Sequence, residues 1–271
     1  MSAVFRASPA AARAERAERR RAGGRRLAQL WPPVLGIVLL IGLWELAVAA
    51  FALPNYVLPL PQEIIAAGLA DLPGLSHNAL TTLFEACVGF AAGSAIGFLA
   101  AAAMVMCRPV ERILLPVYVT ITSVPMISFG PLVTIWFGIG TLSKIVLIIV
   151  VVSYAVLLNA LAGLQSCDPG AIALLRSFGA SDRRIMLTLR LPGALPSIFA
   201  GLKVAVVHSM ILAVVVEMLG ARSGLGWSIF QATQMMNFVE AWAAVLVAVA
   251  ISLTMYGLVS WANRRVIWWP Q

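Results

Sequence analysis

Charged residues are scarce in this sequence, and acidic residues are the scarcer sign. Only 11% of the 271 residues are charged, and 11 residues are Asp or Glu. Hydrophobic residues make up 61% of the chain, and the mean hydropathy is +0.95. This composition leaves too little polar surface to cover a water-soluble globule of this length. It predicts an all-α integral membrane protein.

Histidine and cysteine are also rare, with two and three residues. His208 stands in an apolar run with no second ligand at a metal-binding spacing, so we predict a core histidine and no metal site. Cys87, Cys107 and Cys167 fall within spans or near the cytosolic face, where a structural disulfide is not expected. No glycine-rich loop ends in a phosphate-binding lysine, and the acidic residues are scattered. We therefore predict no catalytic residue and no cofactor in this chain.

Six apolar runs are long enough to cross a membrane, at about residues 34–53, 78–106, 113–136, 145–164, 198–219 and 239–262. With six spans, seventeen of the nineteen basic residues fall on one side, and only Lys144 and Arg222 lie on the other. Because basic loops stay in the cytosol, we expect both termini there. Residues 1–26 hold eight Arg and form a predicted basic cytoplasmic tail that attracts anionic lipid rather than nucleic acid. Residues 27–271 form the predicted transmembrane domain.

The stretch 168–203 is the one long interruption between apolar runs. Asp168 can cap a helix that begins with Pro169 at its first position, where the missing N–H is no loss. That helix is predicted to run to Phe178. Gly179 can then end it by taking the left-handed conformation.

A second short helix follows in the same stretch. Ser181 is its predicted cap, and we expect it to end before Pro192. The two helices, predicted to lie at right angles, make an amphipathic elbow with a basic rim, suited to contact a cytosolic partner at the membrane face. The alternatives are a plain connector and a DNA-binding helix-turn-helix, and the flanking spans would hold the latter against the bilayer.

Span two carries an acidic residue on a stripe of small residues. Glu85, Gly89, Gly93, Gly97 and Ala101 recur every four residues and share one slowly turning face. Small residues at this spacing let another helix approach closely, so the stripe should face protein. Glu85 is then either a functional residue or a carboxyl group that fixes helix packing through a hydrogen bond.

Span three contains several interior prolines, among them Pro116, Pro125 and Pro131. Each removes a backbone hydrogen bond that lipid cannot replace, so we expect this helix to be broken where it lines a cavity. The alternative is a kinked packing helix. In span five, Ser209 and Glu217 share a face.

The run FGASDRRIMLTLRLPGALPSIFAGLKVA, which includes Gly179 and Leu189-Arg190-Leu191-Pro192, resembles the cytoplasmic coupling segment of bacterial ABC importer permeases. It departs from that family at Ala173-Leu174-Leu175, where the family carries Glu-Ala-Ala. The runs VPMISFGPLVTIWFGIGTLSK and EMLGARSGLGWSI resemble the nitrate, sulfonate and taurine branch and its relatives for pyrimidine precursors.

The resemblance implies a type I ABC importer permease fold, with six transmembrane helices and a cytoplasmic coupling helix, in a bacterial inner membrane. It implies a second permease copy, two separate ATPase subunits that bind ATP-Mg, and a periplasmic or lipid-anchored substrate-binding protein. The substrate would be a sulfonate, taurine or nitrate, or a pyrimidine-like or aromatic compound. An ATP-independent channel or carrier is the alternative.

Two sets of site residues follow from this resemblance and the patterns above. The predicted ATPase-coupling residues are Asp168, Pro169, Ala173, Arg176, Gly179, Ala180, Asp182, Arg183, Arg184 and Pro192. The predicted pathway residues are Glu85, Ser123, Pro125, Met126, Ser128, Ser209 and Glu217.

Overall fold

Helices account for nearly all of the computed structural model, which describes residues 31–268 apart from residues 33 and 34. The predicted basic tail lies outside the described residues. The helices, in chain order, are α1 (Leu35–Phe51), α2 (Pro61–Ala70), α3 (Leu72–Met106), α4 (Arg108–Ser123), α5 (Gly130–Phe137), α6 (Thr141–Gln165), α7 (Pro169–Ser177), α8 (Asp182–Ile185), α9 (Leu191–Gly220), α10 (Leu225–Gln234) and α11 (Phe238–Val266).

Four helical segments of the described part are long and apolar enough to cross a membrane. They are α3, α6, the continuous segment Asp182–Gly220, and α11. The bent pair α4–α5 makes a fifth if it counts as one span, and α1 is a shorter apolar helix. The all-helical membrane architecture is therefore confirmed, and the count of six spans stays a prediction.

The chain divides into two units, one up to Glu63 and the other from Ile64 onward. In the first unit, α1 is tied to the segment after it by side chains. Trp44 Nε1 donates to the carbonyl of Pro59 at 3.1 Å. Gln62 Nε2 donates to Glu45 Oε1 at 3.3 Å.

In the second unit, the glycine stripe of α3 packs directly against α6, as the sequence predicts. A Cβ added at Gly93 would stand 2.8 Å from Val152 Cβ, and one at Gly97 would stand 3.0 Å from the backbone carbon of Ser153. These contacts leave no room for side chains. The close approach therefore depends on glycine at these positions.

α9 packs against both α6 and α3, and it does not begin where the sequence suggests. The prediction that the second elbow helix ends before Pro192 is wrong, because α8 continues through one wide π-helical turn at Met186–Arg190 into α9. In that turn the N–H of Leu191 donates to the carbonyl of Met186, five residues earlier. A wider turn gives the proline ring room where a regular α-helix would clash with it.

The predicted break in span three is present. Val124, the residue before Pro125, is extended with φ −88° and ψ 134°, and α4 ends at Ser123. The two halves, Arg108–Ile121 and Met126–Phe137, are bent by 82°. An extended residue is what the ring of a following proline favours.

Candidate functional site

The segment 168–190 folds as the elbow that the sequence predicts. Both helix starts are capped by the predicted residues, and the turn between the helices lies at Gly179. Asp168 Oδ1 and Oδ2 accept from the N–H groups of Gly170 and Ala171 at 3.0 and 3.2 Å. Gly179 has φ +78°, the left-handed conformation that glycine adopts without strain. Ser181 Oγ accepts from the N–H of Arg184 at 3.4 Å.

An ion pair and two backbone hydrogen bonds close the turn of the elbow. Arg176 Nη2 lies 2.9 Å from Asp182 Oδ1, and both side chains are exposed. The N–H of Gly179 donates to Arg176, and the N–H of Ala180 donates to Leu175. An exposed ion pair contributes little to stability, so the two backbone hydrogen bonds and the left-handed Gly179 set the position of α7 relative to α8.

The two halves of the elbow have different surroundings. Ile185 and Met186 are buried, and Met186 packs in the hydrophobic core formed by α3, α6 and α9. On α7, by contrast, Leu174 is 57% exposed, and Phe178, directly after it, is 79% exposed. The second half is therefore anchored in the bundle, and the first half presents an apolar surface.

Glu85 is fully buried, as its place on the glycine stripe predicts, and its partner is Lys144. The predicted span 145–164 leaves Lys144 just outside the helix. It lies instead in the first turn of α6, only 3% exposed, with Nζ 3.0 Å from Glu85 Oε1. A buried carboxyl group needs a positive partner or several hydrogen bonds, and this rule could have pointed to Lys144 as one possible partner.

Glu217 is also fully buried, and it holds the start of α10. Its Oε2 accepts from the N–H of Gly226 at 2.7 Å, and its Oε1 accepts from Thr82 Oγ at 2.8 Å. Thr82 Oγ in turn accepts from the N–H of Leu225 at 2.8 Å. Sequence reasoning missed this network, because Thr82 and Glu217 are 135 residues apart.

Asn78 extends the same network by one step. Its Oδ1 accepts from the N–H of Gly224 at 2.9 Å, and its Nδ2 donates to Ser228 Oγ at 2.8 Å. The backbone of Gly224 has φ +107°, and a Cβ there would collide with the Glu217 carboxyl. The turn into α10 is thus built around the carboxylate.

The remaining predicted pathway residues fall into two environments. At the bend between α4 and α5, Ser123, Pro125 and Ser128 are exposed and Met126 is half-buried. Ser209 is buried in α9 and bonds the carbonyl of Val206 in its own helix. His208 bonds Val204 but lies at the surface of the chain, so the expectation of a core histidine is wrong.

Residues 93–268 match the sequence model of a family described as binding-protein-dependent transport system inner membrane component. The chain belongs to this family. The permease is 32% identical to a probable ABC transporter permease of Haemophilus influenzae, over 89% of this chain and 98% of that one. It is 30% identical to a formylaminopyrimidine transport permease of Halalkalibacterium halodurans, over 73% and 80% of the two chains.

A taurine transport system permease of Escherichia coli is likewise 30% identical, over 90% of this permease and 94% of that one. A solved amino acid ABC transporter chain matches with a TM-score of 0.61 at 20% identity, over 73% of this chain and 96% of that chain. The fold is therefore that of ABC importer permeases, and this permease is the inner-membrane subunit of such an importer, in the branch that the sequence motifs indicate.

Proposed function

We propose that the permease forms the translocation pathway for a small solute, either anionic or polar like a sulfonate, taurine or nitrate, or pyrimidine-like or aromatic. The support is its similarity to permeases named for taurine and formylaminopyrimidine. It spans the inner membrane six times with both termini in the cytosol, and two copies pair around the pathway. A periplasmic or lipid-anchored binding protein delivers the solute.

The elbow is the observation that carries this proposal. α7 is capped at its start, ended by Gly179, and exposes Leu174 and Phe178. Such an apolar surface with Arg183 and Arg184 beside it suits a groove on a cytosolic ATPase that carries acidic groups. Two ATPase subunits, each binding ATP-Mg, would each receive one elbow.

The anchored half of the elbow gives a physical route for the movement. α8, the wide turn and α9 form one helical segment, Asp182–Gly220. When ATP draws the two ATPases together, the two elbows move with them. The continuous helix then carries that displacement across the membrane, because a packed helix moves as a unit.

The pathway is assigned to the bend between α4 and α5. Ser123, Pro125 and Ser128 are exposed there, and Met126 is half-buried beside them. The hydroxyl groups of the two serines and the backbone freed by the proline offer polar contacts to a solute. The other predicted pathway residues, Glu85, Ser209 and Glu217, are buried between helices. In this proposal, these buried residues keep the helices around the pathway in place.

Co-purification from membranes tests the proposal. The tagged permease is isolated with the ATPase and binding protein encoded beside it, placed in liposomes, and assayed for ATP hydrolysis and uptake. We expect hydrolysis to rise with the binding protein and with one of taurine, an aliphatic sulfonate, nitrate or a formylaminopyrimidine. A control with a hydrolysis-deficient ATPase should show no uptake. Uptake in that control would support a channel or carrier instead.

A further inference from the structure

We propose that Glu217 is a positioning residue that fastens the segment 221–234 to α9, so that movement of the elbow reaches the far end of α9 and the residues that follow it. This inference rests on the proposed function. Glu217 lies near the end of the helical segment that begins at Asp182. At 1.5 Å per residue, roughly 50 Å separate the two positions.

The start of α10 has no cap of its own. Gly224, the residue before the helix, carries no side chain that could accept from the first N–H groups. Those groups need acceptors wherever water is excluded, because each unpaired N–H costs free energy. The acceptors come from other helices: Thr82 of α3 serves Leu225, and Glu217 of α9 serves Gly226.

The position of the Glu217 carboxyl group favours the attachment. It accepts at the start of α10, where the positive end of the helix dipole favours an acceptor oxygen. The carboxylate also holds α3, through the Thr82 hydroxyl at 2.8 Å. Glu217 therefore joins the end of α9, the start of α10 and α3 in one buried cluster.

The backbone around Glu217 leaves little freedom for the turn to move separately. A Cβ at Gly226 would stand 2.6 Å from Glu217 Cβ, and Gly224 packs against the carboxyl group itself. This close fit and the hydrogen bonds act on the same few residues. A displacement of the end of α9 must carry residues 220–226 with it.

The test measures solute transported per ATP hydrolysed, in liposomes that hold the permease, its ATPase and its binding protein. In Glu217→Leu we expect uptake to fall about tenfold, while substrate-stimulated ATP hydrolysis stays within about twofold of the unaltered permease. The elbow is intact in this variant, so the ATPase is still engaged. Glu217→Gln keeps one acceptor oxygen for Gly226 and should fall in between.

Two further variants keep the test decisive if Glu217→Leu does not fold. Thr82→Val removes the hydroxyl between Glu217 and Leu225 at nearly constant volume, and it should lower transport per ATP in the same way. Thr233→Val is the control, because Thr233 Oγ donates only within α10, to Phe230 at 2.7 Å. Thr233→Val should leave the amount of solute transported per ATP unchanged.

Other outcomes overturn the inference. Parallel loss of uptake and hydrolysis in Thr82→Val and Glu217→Gln would make the cluster a requirement of folding alone. A raised KM for the solute at unchanged transport per ATP would make Glu217 a pathway ligand. If the unaltered permease shows no ATP-dependent uptake, the proposed function fails first; if it does and the variants match it, only this inference fails.

Discussion

Pro125 breaks one membrane-length part of this molecule, whereas Pro192 and Pro196 leave another unbroken. The α4–α5 pair breaks at Pro125 with a bend of 82°. The segment Asp182–Gly220 passes through Pro192 and Pro196 as one helix. Both have the composition of a membrane span, so composition does not explain the difference.

Packing and one wide turn explain it. α9 lies tightly on α6, where a Cβ added at Gly201 would stand 2.7 Å from Asn159 Cβ, and one at Gly163 would stand 2.7 Å from Ser197 Cβ. The π-helical turn before Pro192 makes room for the ring. The exposed bend at Pro125 has no comparable support. The packed helices α3, α6 and α9 can therefore transmit force, whereas the loosely packed bend between α4 and α5 can change shape.

The largest expected effect concerns the ion pair in the packed part. Lys144→Met leaves Glu85 buried without its partner, which costs about 3–5 kcal/mol in known cases. We therefore expect a large fall in the melting temperature of the detergent-purified permease. The control is the double variant Glu85→Leu/Lys144→Met, which removes both charges and should melt higher than the single variant. A single variant as stable as the unaltered permease would contradict a buried pair.

A smaller effect is expected where α9 meets α6. Gly201→Val adds a side chain against Asn159, and overpacking of this kind costs about 1–3 kcal/mol. Gly257→Val on α11 is the matched control, because a Cβ there meets nothing within 4 Å. Thermal melting of both variants checks the prediction. Equal melting temperatures would mean that the two helices are not closely packed.

The smallest effect on stability is expected from substituting the prolines. The uptake of these variants distinguishes the two parts most clearly. Pro125→Ala should change the free energy of unfolding by less than about 1 kcal/mol, as exposed substitutions do, yet reduce uptake, because the bend can straighten. Pro196→Ala lies in the packed helix and should leave uptake unchanged. Uptake rates of the two variants at equal membrane content provide the measurement. Equal uptake would contradict a role for the bend.

Local signals in the sequence predicted local structure well. Asp168, Ser181 and Gly179 were predicted as caps and turn because their side chains or backbone act within a few residues. The extended residue before Pro125 follows from the proline ring alone. The stripe from Glu85 to Ala101 predicted a buried face because its spacing repeats within one helix.

Contacts between distant residues could not be predicted in this way. Lys144 looked like a loop residue, because the ion pair that explains it comes from another helix. Pro192 looked like a helix end, because the wide turn that accommodates it has no sequence signal of its own. Glu217 is predicted from the sequence only as a pathway residue, because its role in capping α10 depends on Thr82 and Gly226, which only the folded chain brings to it.

The proposed function requires that the elbow pass ATPase movement to the membrane helices, and the variant Gly179→Val tests this claim. Gly179 has φ +78° with nothing within 4 Å of an added Cβ. Gly138 has φ +82° and equally open space, so Gly138→Val imposes comparable backbone strain outside the elbow. Both variants are assayed in liposomes for binding-protein-stimulated ATP hydrolysis and for uptake. We predict that Gly179→Val inserts normally and loses uptake and stimulation, while Gly138→Val keeps both. Normal uptake with Gly179→Val, or equal loss in the two variants, would contradict the claim.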